Sequence, residues 1–121
     1  MNVERLRAII NELETPTLPV EFNMSIGSNI TRVPIEDIHL CGTVCCVGGL
    51  ACLMFGKRGE EITLEYGAEL LELTEFESNA IFYNLNPYPY GISALVSISR
   101  QKAIQTLRRI ADCGSVKARF I

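Results

Sequence analysis

From His39 to Phe55 the chain runs 17 residues without an Asp, Glu, Lys or Arg. A stretch that is apolar all round must be covered on every side, so the rest of a small protein has to be arranged as its covering. It is shorter than the roughly 20 residues needed to cross a bilayer, and the reading is a buried core helix over Thr43–Phe55 with no membrane span. Gly56 and Lys57 follow as its stop. Cys41, Cys45, Gly48 and Cys52 recur at steps of four, three and four, a stripe of small side chains that lets a neighbouring helix come close. Val44, Val47, Ala51, Met54 and Phe55 make the bulkier side.

The covering elements are helical by their spacing. Val3, Leu6, Ile9, Ile10 and Leu13 share one face of a first helix, with Asn2 as its cap and Thr15-Pro16 as its end. Ile62, Tyr66, Leu70 and Leu73 recur at helical intervals. Thr74 followed by Glu77 has capping-box spacing and opens a further helix, on which Phe76, Ala80 and Tyr83 are expected to face one way. A last helix runs from about Ser99 to Cys113, with Ala103, Ile104, Leu107, Ile110 and Ala111 inward and Gly114 as a left-handed stop. Between the first and second helices, Val20, Phe22, Met24 and Ile26 alternate with polar residues, and a weaker run spans Ile30 to Ile35. These predict a short irregular or β-hairpin excursion. The fold class is all-α, a bundle of about five helices forming a single domain over residues 1–121, with the central helix contacted by the first, fourth and last.

With 48% hydrophobic and 21% charged residues the composition is globular, and a net charge of −3 does not fit a broadly cationic nucleic-acid binder. The odd count of five cysteines and a charged N-terminus without an apolar signal core point to reduced thiols and a cytoplasmic location. The Asn-x-Ser/Thr matches at Asn23 and Asn29 then carry no glycan.

His39, Cys41, Cys45, Cys46 and Cys52 are the candidates for metal binding. Zinc needs four ligands converging from paired knuckles, and here there is no C-x2-C and no second pair, so neither a metal nor a cofactor is expected. Cys41 at the start of the apolar helix would gain from the helix dipole as a thiolate, with His39 two residues away as a base. No acid is placed to orient that histidine, and a thiol enzyme using Cys41 is kept as the alternative.

Charge and tyrosines mark the interaction candidates. Residues 60–77 hold seven glutamates and no base, whereas residues 100–119 hold six bases against Asp112 alone. Such runs are ordinarily solvated faces that complement one another across a bundle. Tyr83, Tyr88 and Tyr90, set among Pro87 and Pro89, offer large rigid contact area at low ordering cost. Tyr83, Tyr88, Tyr90, Lys102 and Arg109 are therefore the candidate partner-binding residues. The basic C-terminal helix lacks interleaved aromatics, so nucleic acid remains only a weak alternative.

The run Cys41-Gly-Thr-Val-Cys-Cys-Val-Gly-Gly-Leu-Ala, followed by Leu70-Leu-Glu-Leu-Thr-Glu-Phe-Glu, Ala80-Ile-Phe and a Pro-Tyr loop, resembles a group of small uncharacterised phage and bacterial proteins. They share a CGTxxCxxG helix and an LGL-like turn. Glu72 stands where that group tends to have glycine, which makes the turn tighter or helical by expectation. The resemblance implies a mobile-element protein working inside a bacterial cell and carries no catalytic residue. The function expected is that of a non-enzymatic interaction module, an accessory or inhibitor protein that binds a host protein or a second copy of itself, a homodimer included.

Overall fold

The computed structural model describes residues 1–24, 33–38, 43–83, 85 and 99–120. Helix α1 (Val3–Glu14) begins where the Asn2 side chain accepts the Arg5 N–H at 3.0 Å, and it buries Leu6, Ile9, Ile10 and Leu13. Just beyond it, the Glu12 carboxylate accepts the Thr17 and Leu18 N–H groups at 2.7 and 2.9 Å and the Thr17 hydroxyl at 2.6 Å. Those bonds satisfy backbone donors that Pro16 keeps out of the helix.

The chain then forms β1 (Glu21–Phe22), which pairs in parallel with β2 (Val44–Cys45), Glu21 opposite Val44 and Phe22 opposite Cys45. The expected irregular or β-hairpin excursion falls largely on residues 25–32, outside the described residues, and the pairing with β2 was not foreseen. The partner of the 20–22 run comes from beyond residue 42, and Pro34 instead makes an antiparallel bridge to Glu61. A short 3-10 helix, Ile35–Asp37, follows that bridge.

Helix α2 (Val47–Phe55) starts four residues later than the apolar run suggested, because Val44 and Cys45 are extended in the β pair and Cys46 is the N-cap. Val47 through Cys52 are all buried, as an all-round apolar helix requires. Its C-cap Gly56 has φ −68°, so it is no left-handed stop. Glycine is needed there because a Cβ would lie 2.4 Å from the Cys52 carbonyl oxygen and from Ile35 Cδ1. Helix α3 (Leu64–Leu70) is shorter than its apolar spacing implied, since the Thr63 hydroxyl caps it by accepting the Tyr66 N–H at 3.0 Å. It packs on α2 at the small stripe: a Cβ on Gly67 would come within 2.6 Å of the Gly48 carbonyl oxygen.

Helix α4 (Glu75–Tyr83) opens with the capping box, Thr74 Oγ1 accepting the Glu77 N–H at 3.1 Å and Glu77 Oε1 accepting the Thr74 N–H at 2.9 Å. Helix α5 (Arg100–Cys113) is capped by Ser99, which accepts the Lys102 N–H, and ends at Gly114 with φ +67°. A closing 3-10 helix, Val116–Phe120, buries Val116 and Ala118 and sends the Arg119 guanidinium to the Ala80 carbonyl. The fold is thus mostly helical with a small parallel sheet. The last helix packs along α1 and the closing 3-10 helix, and the principal partner of α2 is α3, with α1 and α4 beside it. Among the described residues no helix is long and apolar enough to cross a membrane.

Candidate functional site

The outward face of α4 is set by its N-terminal cap. With the capping box fixing the first turn, Ala80, Ile81 and Phe82 turn into the core. Residues seven apart share a helix face, and Phe76 and Tyr83 are turned out together. They are 61% and 52% exposed, the exposed large hydrophobic side chains among the described residues. The expectation that Phe76, Ala80 and Tyr83 share a face is corrected: Ala80 is buried, and the two aromatics stand in water at opposite ends of the helix. Phe76 was not a candidate from the sequence. The available signal was its place between the charged Glu75 and Glu77, two turns before an already suspected tyrosine.

Next to Phe76 on α4 stand Glu75, exposed, and Glu77, half-buried, with exposed Glu72 just before the helix. No Lys or Arg occurs in the sequence between Glu60 and Tyr83, but Glu69 of α3 lies on a different surface, beside Arg5 and Lys57. Glu72 accepts from Asn2 Nδ2 at 2.6 Å, and Glu77 lies 3.9 Å from the N-terminal ammonium of Met1. The acidic run is therefore tied to the start of α1, and the basic run is tied elsewhere. Arg108 pairs with Glu14, and Arg7 of α1 pairs with Asp112 at 3.0 Å. The two runs do not complement each other across the fold, contrary to expectation, because α5 lies against α1.

Lys102 is exposed on α5, and Arg109 is half-buried seven residues further on. Arg109 reaches Thr106 Oγ1 at 3.4 Å, and its buried Nε has no hydrogen-bond partner among the described residues. Tyr88 and Tyr90 lie outside the described residues, as do His39 and Cys41.

The thiol chemistry shifts to a different residue. The cysteine at the start of the apolar helix is Cys46, the N-cap of α2, which removes the helix-dipole argument made for Cys41. Cys46 is 2% exposed, and burial raises its pKa against the opposing pull of the Gly49 and Gly48 N–H groups. Burial likewise pushes Cys45 up to about 12 and Cys52 up to about 11, so all three are neutral thiols near pH 7. The small-residue stripe holds only in part: Gly48 and Cys52 remain on α2, and Cys45 belongs to β2. Among the described residues no group of three His, Cys, Asp or Glu side chains converges as a metal site. A cavity between Leu13, Phe22, Cys45 and Leu50 encloses about 10 Å³, room for a single water. Comparison with family models, with curated proteins and with solved structures found no match to this chain.

Proposed function

We propose that this chain is a non-enzymatic interaction module that binds another protein through the outer face of α4. The observation that carries the reading is the pair Phe76 and Tyr83, more than half exposed on a helix whose other large side chains are buried. Exposed aromatics with few rotatable bonds are the side chains that dominate protein interfaces, and an acidic surround selects among partners by charge. The resemblance to small phage and bacterial proteins supports an accessory or inhibitor role in a mobile element, with a host protein or another copy as partner.

A photoreactive side chain placed at position 76 or 83 of the intact protein tests this in a bacterial host. A discrete protein adduct from both positions, absent from a control at Glu4 on α1, is the expected result. Equal labelling from all three positions, or none, would sink the reading. The rival thiol enzyme is tested by alkylation with iodoacetamide. Cys45, Cys46 and Cys52 are expected to resist until the protein unfolds, and selective fast labelling of Cys41 at neutral pH would revive the enzyme.

A further inference from the structure

We infer that the occupant of the α4 face is the outer face of α5 on a second copy of this chain. The inference rests on the reading of α4 as a docking face and adds the identity of what docks.

Three observations on the two helices lead to it. The first is spacing. Phe76 and Tyr83 are seven residues apart on α4, and Lys102 and Arg109 are seven apart on α5. Each pair spans two helical turns, or about 10.5 Å along the axis. Two exposed aromatic rings on α4 and two cations on α5, Lys102 exposed and Arg109 half-buried, thus stand at the same pitch.

The second is charge. Phe76 stands between Glu75 and Glu77, with exposed Glu72 just before the helix, and α5 carries Arg100, Lys102, Arg108 and Arg109 against Asp112. Within one chain these surfaces leave each other unused. Arg108 is engaged by Glu14, Asp112 by Arg7, and among the described residues neither Lys102 nor Arg109 forms an ion pair. The complement of the acidic aromatic face is on the molecule and is not consumed by it.

The third is the state of Arg109. The residue is half-buried, its guanidinium reaches Thr106 Oγ1 at 3.4 Å, and its Nε has no acceptor among the described residues. An arginine that forms no ion pair within its own chain remains available to stack on an aromatic ring, which needs no further acceptor. This protein already uses such a contact internally, the Arg5 guanidinium lying 5.2 Å from the centre of the Phe55 ring.

An antiparallel arrangement satisfies all three. Arg109 then meets Phe76 and Lys102 meets Tyr83. Glu72 and Glu75, at the start of α4, fall beside the Arg109 end of α5, and the helix dipoles oppose. The contact joins two different surfaces, so it repeats from copy to copy unless two copies exchange both faces at once. With few ion pairs and much solvent access, it is weak and sensitive to salt.

Sedimentation equilibrium of the intact protein tests this without a second component. At about 0.05 M salt the mass is expected to rise above 13.4 kDa with concentration, and at about 0.5 M salt to return towards it. Phe76→Ala with Tyr83→Ala should weaken association about tenfold, the fold-change for two modest cation–π contacts. Lys102→Glu with Arg109→Glu, and separately Glu72→Lys with Glu75→Lys, should each abolish self-association, and mixing the two variants should restore a complex. Glu75→Lys alone replaces the second variant if the double change unfolds the chain, as checked by circular dichroism. A wild type that stays monomeric at every concentration in low salt overturns the inference, as does a mixture that fails to reassemble. Should a monomeric wild type still give adducts with another protein from positions 76 and 83, only the second-copy inference falls. An assembly indifferent to loss of both aromatics would remove the α4 docking reading as well.

Discussion

Where α2 meets α3 the contact is made of backbone: Gly67 sits on Gly48 so closely that a single Cβ at position 67 would lie 2.6 Å from the Gly48 carbonyl oxygen and 3.0 Å from its Cα. Where α1 lies along α5 the contact is made of side chains, Leu6, Ile9, Ile10 and Leu13 facing Ala103, Ile104, Leu107 and Ile110 within one buried cluster. The first pair is apolar on all sides of α2 and has no room for an added atom. The second is amphipathic on both helices and has solvated ion pairs along its rim, Arg7 with Asp112 and Arg108 with Glu14. The two contacts should fail in opposite ways. A backbone contact is damaged by adding atoms, and a side-chain contact is damaged by removing them.

The largest effect belongs to the α1–α5 pair. Leu107 is fully buried, and Leu107→Ala should lower stability by about 2–5 kcal/mol, read from chemical denaturation. A loss under 1 kcal/mol would mean the cluster there is loosely packed and the contrast is false. Next comes Gly67→Ala, expected to cost about 1–3 kcal/mol because the atoms it meets are backbone and cannot rotate away. The companion change Gly48→Ala should cost less, since its nearest obstacle is the Leu64 Cδ2 methyl at 2.7 Å, the end of a movable side chain. If the two alanines prove equal, or Gly48→Ala the worse, the backbone contact is not what limits α2 and α3.

These two pairs were not equally legible in the sequence. The two helices α1 and α5 were readable almost to the residue, though that they pack on each other was not. They are long and amphipathic, and Asn2, Ser99 and Gly114 announce their ends by local chemistry. The capping box at Thr74 and Glu77 was readable for the same reason. For α2 the small stripe correctly called for a close neighbour, yet nothing local could say where the helix begins. An apolar run without charge has no period, and what pulls Val44 and Cys45 out of the helix is pairing with Glu21 and Phe22, more than 20 positions away. Alternation was readable around Phe22, but the two-residue β2 inside the apolar run leaves none. Of the two exposed aromatics on α4, Tyr83 was a candidate from the sequence and Phe76 was not, because apolar spacing alone cannot tell an inward from an outward face on a helix of nine residues. The charged runs were legible as runs, and their partners were not, since pairing follows which helices touch.

A smaller effect tests the end of the α1–α5 pair through pH. Burial raises the Glu12 pKa, but the Thr17 hydroxyl and the Leu18 and Thr17 N–H groups outweigh it, and the net shift is downward. The native carboxyl therefore holds its proton less tightly than the unfolded one. Its contribution is full above the ordinary carboxylate range and is lost as pH falls through the lowered native value. Glu12→Ala should cost about 1 kcal/mol near pH 7. That difference should shrink in acid as the wild type loses what the variant never had. A gap that widens as pH falls would contradict the assigned direction.

The last test concerns the joint between the two pairs. Asn2 caps α1, donates its backbone N–H to the Leu71 carbonyl at 2.7 Å and its side-chain amide to Glu72, while Arg5 reaches the Leu70 carbonyl at 2.7 Å. The end of α3 is thereby fastened to the start of α1. Glu72 makes that link from φ +56°, so the turn is neither tighter nor a continued helix but the left-handed one a glycine would make. For a side chain this conformation costs about 1–2 kcal/mol, against an exposed hydrogen bond to Asn2 of about 0.5–1.5 kcal/mol. Glu72→Gly relieves the first and gives up the second, so its net effect should fall within about 1 kcal/mol of zero. Glu72→Ala keeps the strain and loses the bond, and should be the less stable of the two. Stability ranked alanine below glycine by chemical denaturation would show that backbone strain and the Asn2 bond act as separate terms. If alanine instead matched the wild type, the bond to Asn2 would contribute nothing, and the joint would rest on the bonds that the Arg5 side chain and the Asn2 N–H donate to the Leu70 and Leu71 carbonyls.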